Sequence, residues 1–199
     1  MTRFIFICSM LVVFPTLGNE EHPLLPADIS SPRATINSFK ENCQIAYEML
    51  RKEGRNIQKV NDAEKVQEAL RGIRRCLDLS EVPQYREENI TREAAVALKE
   101  VLDRIEMPKA SKIPDRKMMT NDDGSLKKRW TVPNTEIVLH LIEEGPLEGN
   151  YQFSPNTVRL VPEFLDRVIH LPYRDEEASE GFARIYLTTP GNRWLAKVI

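Results

Sequence analysis

Apolar residues recur at alternating spacings of three and four along the first half of the chain. Each such run predicts a helix with one buried stripe. The first run is Ile36, Phe39, Cys43, Ala46 and Leu50. Ser31-Pro32 opens it, with serine as N-cap and proline at the first helical position, and Gly54 closes it. A second helix opens at Asn61-Asp62-Ala63-Glu64, close to a capping box, and carries Ala63, Val66, Leu70, Ile73 and Leu77. A third runs from about Thr91 to Ile105 on Ala94, Ala97, Leu98, Val101 and Ile105, and Met107-Pro108 stops it. Each stripe lasts about two heptads, too few for a coiled coil. The three helices are therefore expected to pack as a small antiparallel bundle.

Beyond Met107 the pattern loses its helical period. Residues 108–129 are polar and hold Pro114, which suggests a linker. The tract Asn121-Asp122-Asp123-Gly124-Ser125 invites a calcium-loop reading, but placing Gly124 sixth puts Met119 first and Trp130 twelfth. Neither can ligate calcium, so the tract is read as a turn. From Glu136 to Ile142 the residues alternate as in a strand, with Ile137, Leu139 and Leu141 on one face and Val138, His140 and Ile142 on the other. Both faces are mostly apolar, which predicts a covered strand. Gly145-Pro146 and Gly149 mark a turn, and Tyr151-Gln152-Phe153 returns as a partner strand. Ser154-Pro155 then starts a helix on Val158, Val161, Leu165 and Val168, which Pro162 is expected to interrupt or restart and Leu171-Pro172-Tyr173 to end. The predicted class is α+β: an antiparallel three-helix part over 32–107, then a β-hairpin packed with a helix over 130–173, and a tail over 174–199.

The first 18 residues read as a secretory signal, with Arg3, an apolar run from Phe4 to Phe14 and small residues near Gly18. That run is too short to span a bilayer, which takes about 20 apolar residues; an uncleaved anchor is the alternative. Residues 19–31 hold Pro23 and Pro26 and read as a flexible lead-in. The expected location is periplasmic or secreted, in association with the cell envelope. A formal charge of −2, from 28 basic and 30 acidic residues, lacks the basic excess that nucleic-acid binding needs. Beyond the leader two cysteines are left, Cys43 and Cys76. In an oxidising compartment they are either a disulfide between neighbouring helices or buried thiols, and the spacing leaves both open. No Cys-x-x-Cys redox pair occurs.

Catalytic signatures are missing: there is no Gly-x-Ser-x-Gly, no His-Glu-x-x-His and no phosphate-binding glycine loop. His22, His140 and His170 are scattered, and no metal or cofactor is expected. Glu143, Glu144 and Glu148 gather at the hairpin turn, where solvated carboxylates suit partner contact better than acid–base work. With Trp194 they form the candidate partner surface. A hydrolase whose site assembles only in the fold, from His140, Glu143, Glu144 and His170, is the enzymatic alternative.

Several phrases, in order, carry a family resemblance: Ser31-Pro32-Arg33-Ala34-Thr35, the run from Cys76 to Pro83, the run from Leu98 to Ile105, Glu143-Glu144-Gly145-Pro146, Phe153-Ser154-Pro155, Leu171-Pro172-Tyr173 and Thr188-Thr189-Pro190-Gly191. Together they resemble the extracytoplasmic N-terminal region of certain large bacterial proteins of the small-conductance mechanosensitive channel family. In that family the region precedes membrane helices, a pore and a cytoplasmic domain. The resemblance implies a non-enzymatic periplasmic domain for assembly, sensing or partner binding. Its partner would be the membrane-embedded channel portion of a longer protein, or another envelope protein. No pore residues of the family have counterparts here. A stand-alone secreted protein-binding module is the alternative.

Overall fold

The computed structural model describes residues 26–53, 60–175 and 177–188; the leader, most of the lead-in and Trp194 lie outside the described residues. The class is α+β. Helix α1 spans Pro32–Glu53 and α2 spans Val60–Cys76. The Ser31 hydroxyl accepts from Ala34 N at 3.2 Å, so the predicted cap is in place. The predicted α1 stripe is buried at Ile36, Phe39, Cys43 and Ala46, and Tyr47 and Met49 join it. Among the α2 positions whose burial is described, Ala69, Ile73 and Cys76 are buried and Leu70 is only partly covered; Leu77, just past the helix end, is buried as well.

Helix α3 spans Glu87–Leu102, beginning and ending a few residues before the range that periodicity suggests. A 3₁₀ turn at Gln84–Arg86 feeds it, and Glu87 and Glu88 favour the early start by complementing the helix dipole. Its C-terminal half is buried on almost every side, because α4 and α5 cover what α1 and α2 leave open.

The sheet has three antiparallel strands in the order β1 (Arg129–Thr131), β2 (Val138–Leu141) and β3 (Tyr151–Phe153). Strand β1 is an addition to the expected hairpin. It pairs Trp130 with Leu139, and the turn back to β2 is closed by Val132 N to Ile137 O at 2.9 Å. Asn134 takes the left-handed conformation there (φ 60°), which asparagine tolerates better than most residues. Strand β3 is buried at all three positions. One edge pairs with β2. At the other, Leu77 forms a parallel bridge with Phe153, Asp78 N donates to Phe153 O at 2.9 Å, and Tyr151 N donates to Ile29 O at 2.7 Å. The outer edge of β3 is thereby covered.

Residues 108–129 are fastened to the body rather than spanning between parts. Arg33 N donates to Pro114 O at 3.0 Å, Arg33 Nε to Ile113 O at 2.8 Å, and Ile113 and Met119 are buried. The Asn121–Ser125 tract is a turn as expected, closed by Asn121 N to Ser125 O at 2.8 Å. Helix α4 (Pro155–Val168) starts on the Ser154 cap and runs unbroken through Pro162. The proline ring lies on the exposed side, between Val161 and Phe164, whose burial holds the backbone helical. A last helix, α5, spans Phe182–Thr188.

Candidate functional site

The densest chemistry among the described residues lies at the C-terminal end of α3 and the turn that follows it, where Lys99, Glu100, Asp103 and Arg104 are all buried. Each charge meets its opposite one turn away. Lys99 Nζ lies 2.6 Å from both carboxylate oxygens of Asp103, with side chains 1% and 0% exposed. Arg104 pairs with Glu100 and also donates to the Glu100 backbone carbonyl at 3.0 Å. Burial pushes the Asp103 carboxyl above its ordinary range, against the pull of the Lys99 ammonium and the Ser179 N–H.

The segment after α4 supplies the remaining partners. Ser179 N donates to Asp103 Oδ2 at 3.0 Å, and Ala183 N donates to Glu100 Oε1 at 2.9 Å. Tyr173 O–H donates to Glu100 Oε2 at 2.8 Å and accepts from Gly181 N at 2.7 Å. The Arg104 guanidinium stacks 3.9 Å over the Tyr173 ring. Ser179 Oγ reaches Gln44 at 2.8 Å, and Tyr47 O–H reaches Glu180 O at 3.0 Å. Every carboxylate oxygen of Glu100 and Asp103 is thus engaged by protein donors. An acid or base that serves a substrate needs a free lone pair or proton within reach of it. This arrangement binds backbone; it is a clamp.

A second feature is an open groove of about 1800 Å³ beside α1 and α2, lined by Lys40, Glu48, Lys65, Glu68, Arg71 and Arg75 among others. Its walls carry both signs of charge, so it has no single-sign field to concentrate an anion or a cation. None of His140, Glu143, Glu144 and His170 lines it. His140 instead faces Asp78, with Nε2 2.8 Å from Oδ2, at the seam between α2 and the sheet. His170 is exposed beyond the end of α4.

Cys43 and Cys76 are free thiols, both fully buried. Cys43 Sγ contacts Ala95 O at 3.8 Å, and Cys76 Sγ contacts Gly72 O at 3.3 Å, one turn back on its own helix. Burial pushes both thiols well above their ordinary range, which keeps them unreactive as they stand. Glu143, Glu144 and Glu148 are exposed, as expected of a hairpin turn, and Glu143 pairs with Lys128 at 2.8 Å. Their loop is well fixed: Gly145 and Gly149 both take positive φ (91° and 79°), and Gly149 N donates to Ile142 O at 2.8 Å. Trp194 lies outside the described residues, so the hairpin is the described portion of the candidate partner surface.

Residue patterning missed the α3 clamp. Its only local signal is the pair of opposite charges four apart, Lys99 with Asp103 and Glu100 with Arg104, the usual mark of an exposed helix face. Among the described residues no group of three or more His, Cys, Asp or Glu side chains is placed to hold a metal, and no helix is long and apolar enough to cross a membrane. No family model, no curated protein and no solved structure matches the chain.

Proposed function

We propose that this chain is a non-enzymatic extracytoplasmic domain of a mechanosensitive-channel-type protein, serving assembly, sensing or partner binding. One observation supports the reading: most of the phrases on which the resemblance rests, Thr189 to Gly191 lying outside the described residues, supply contacts that tie the fold together. Ser31 caps α1, and Thr35 Oγ1 donates to Tyr151 O at 2.8 Å. Leu77 and Asp78 join α2 to the sheet. The run from Leu98 to Ile105 contains the charged clamp, and Tyr173 of the Leu171–Tyr173 phrase closes on it. Gly145 shapes the hairpin loop, and Ser154 caps α4. Phrases spread along the chain that meet in one framework are what a shared scaffold would leave in a sequence. A shared catalytic site would instead leave its trace in residues that face a cleft.

The membrane-embedded portion of a longer protein, or another envelope protein, is the partner this reading implies. The near-neutral charge and the mixed-sign groove argue against nucleic acid. Two experiments test the reading. The native coding sequence should continue past Ile199 into several apolar spans of about 20 residues; a stop codon directly after Ile199 would overturn the link to a channel. In a host stripped of its own mechanosensitive channels, the native gene should protect against osmotic downshock, and removing residues 26–188 in frame should change that protection. Unchanged survival would remove the sensing and assembly roles.

The exposed glutamates on the fixed hairpin loop favour a second reading, a stand-alone secreted binding module acting through the hairpin and the Trp194 region. Glu144→Lys and Glu148→Lys together should then abolish capture of one defined envelope protein by the pure chain. Capture that is indifferent to the two charges would discard this use of the hairpin.

A further inference from the structure

We propose that the described residues 173–175 and 177–188 form a strap that opens from the domain as a unit, below the threshold of global unfolding, with Tyr173 and Glu100 as its latch. The inference stands apart from the channel reading and rests on how the strap is held. Between Tyr173 and Gly181 the chain has neither helix nor strand among its described residues. Its backbone is fixed by donation to α3: Arg174 N and Asp175 N to Asp103 O (2.7 and 3.2 Å), Ser179 N to Asp103 Oδ2, and Ala183 N to Glu100 Oε1.

Apolar anchoring is confined to the α5 end of the strap. Phe182 is buried, edge-on to Tyr47 at 5.6 Å between ring centres, and Ala183 and Ile185 are partly buried against the same core; of the described strap side chains before Phe182, only Ser179 is buried. At the rim, Lys40 pairs with Asp175, and Arg174 lies 3.8 Å from Glu106. The Arg174–Glu106 pair is exposed on both sides, and contacts of that kind contribute little.

The floor beneath the strap decides the energetics. It consists of two ion pairs almost sealed from solvent, Lys99 with Asp103 and Glu100 with Arg104. Desolvation of such pairs roughly cancels their attraction. When the strap lifts, these ions regain water, and that gain offsets much of what the broken hydrogen bonds had contributed. An apolar element of equal length would find no such offset. A segment held by polar contacts over a charged floor therefore belongs to the low end of the range of local stabilities in a folded protein. Tyr173 sets the closing point, since its hydroxyl joins Glu100 to Gly181 and its ring lies against Arg104. The closed position hides Lys99, Asp103 and the seat of Phe182 on Tyr47; the open one presents them together.

Amide hydrogen exchange read by mass spectrometry on the full chain tests this. Peptides covering 173–188 should exchange at least about tenfold faster than those from the middle of α3, the scale of one hydrogen bond's net worth. Tyr173→Phe should accelerate the strap by about a further tenfold while α1 and α2 stay unchanged. Phe182→Ala, which removes the apolar anchor and leaves the latch, should produce the same selective acceleration. Strap peptides that exchange at the rate of α3 in the native chain would overturn the proposal. So would acceleration spread evenly over all peptides in both variants.

Discussion

Asp78 ties the helical part to the sheet through one carboxylate. Burial works to raise its pKa, but the His140 imidazole and the Ser80 hydrogen bonds outweigh it and hold the group at about 2, below its ordinary 3.8. A folded-state pKa below the unfolded one adds stability at neutral pH. That contribution is whole above about pH 4 and disappears as the pH falls through 2. Asp78→Asn should therefore cost about 1 kcal/mol at pH 7, after allowance for solvent screening, and almost nothing at pH 2. Urea titrations at the two pH values check this; an equal cost at both would place the effect elsewhere. The Lys99–Asp103 pair should behave differently, because both partners are sealed. Lys99→Met leaves a buried carboxylate without its cation and should cost about 3–5 kcal/mol, whereas Lys99→Met with Asp103→Leu should recover more than half of that. A double-mutant cycle read by chemical unfolding gives the coupling. These charges were misleading in sequence because what covers them, Tyr173 to Phe182, arrives some 70 residues later. The predicted caps at Ser31 and Ser154 were legible because a cap is settled within four residues.

At the scale of elements, periodicity located each helix of the first half and blurred its ends, most clearly at α3. Strand β1 escaped notice because three residues of mixed polarity carry no pattern; only the pairing with β2 makes them a strand. Helix α4 reports a contest between local and tertiary terms. Pro162 lacks the N–H that would bond Val158 O, at a cost of about 3 kcal/mol relative to alanine in a helix interior. Packing of Val158, Val161 and Phe164 overrides it, so the helix does not break. Pro162→Ala should restore the bond. Part of that gain is lost to the freer unfolded chain, so a net stabilisation of about 2 kcal/mol is expected. The thermal midpoint should rise by roughly 4–8 °C with no change in helix content by circular dichroism. A midpoint that stays put would mean that α4 already relaxes around the proline.

At the scale of the molecule, the boundary that composition suggests near residue 108 is not a boundary in the core. Phe153 of β3 stands edge-on to Phe39 of α1 at 5.3 Å, Leu77 bridges to the same strand, and Gln152 Nε2 donates to Arg75 O at 2.7 Å. One apolar cluster runs from Ile29 through the three N-terminal helices into β2, β3 and α4. Polar composition hid this, because residues 108–129 anchor through backbone groups and a few buried side chains rather than through an apolar run. The helices consequently lack a complete core of their own. Phe153→Ala should cost about 3–5 kcal/mol, the usual range for emptying a buried aromatic site. It should also lower the helical and the near-ultraviolet aromatic transitions together, since both report the same cluster. A fragment of residues 26–107 would expose the faces of Phe39 and Leu77 that β3 covers. It should populate helix without a cooperative urea transition, and adding residues 108–188 in the same chain should restore one. A fragment that unfolds cooperatively by itself, with the helix signal expected for α1 to α3, would show that the sheet is an appendage to an autonomous bundle.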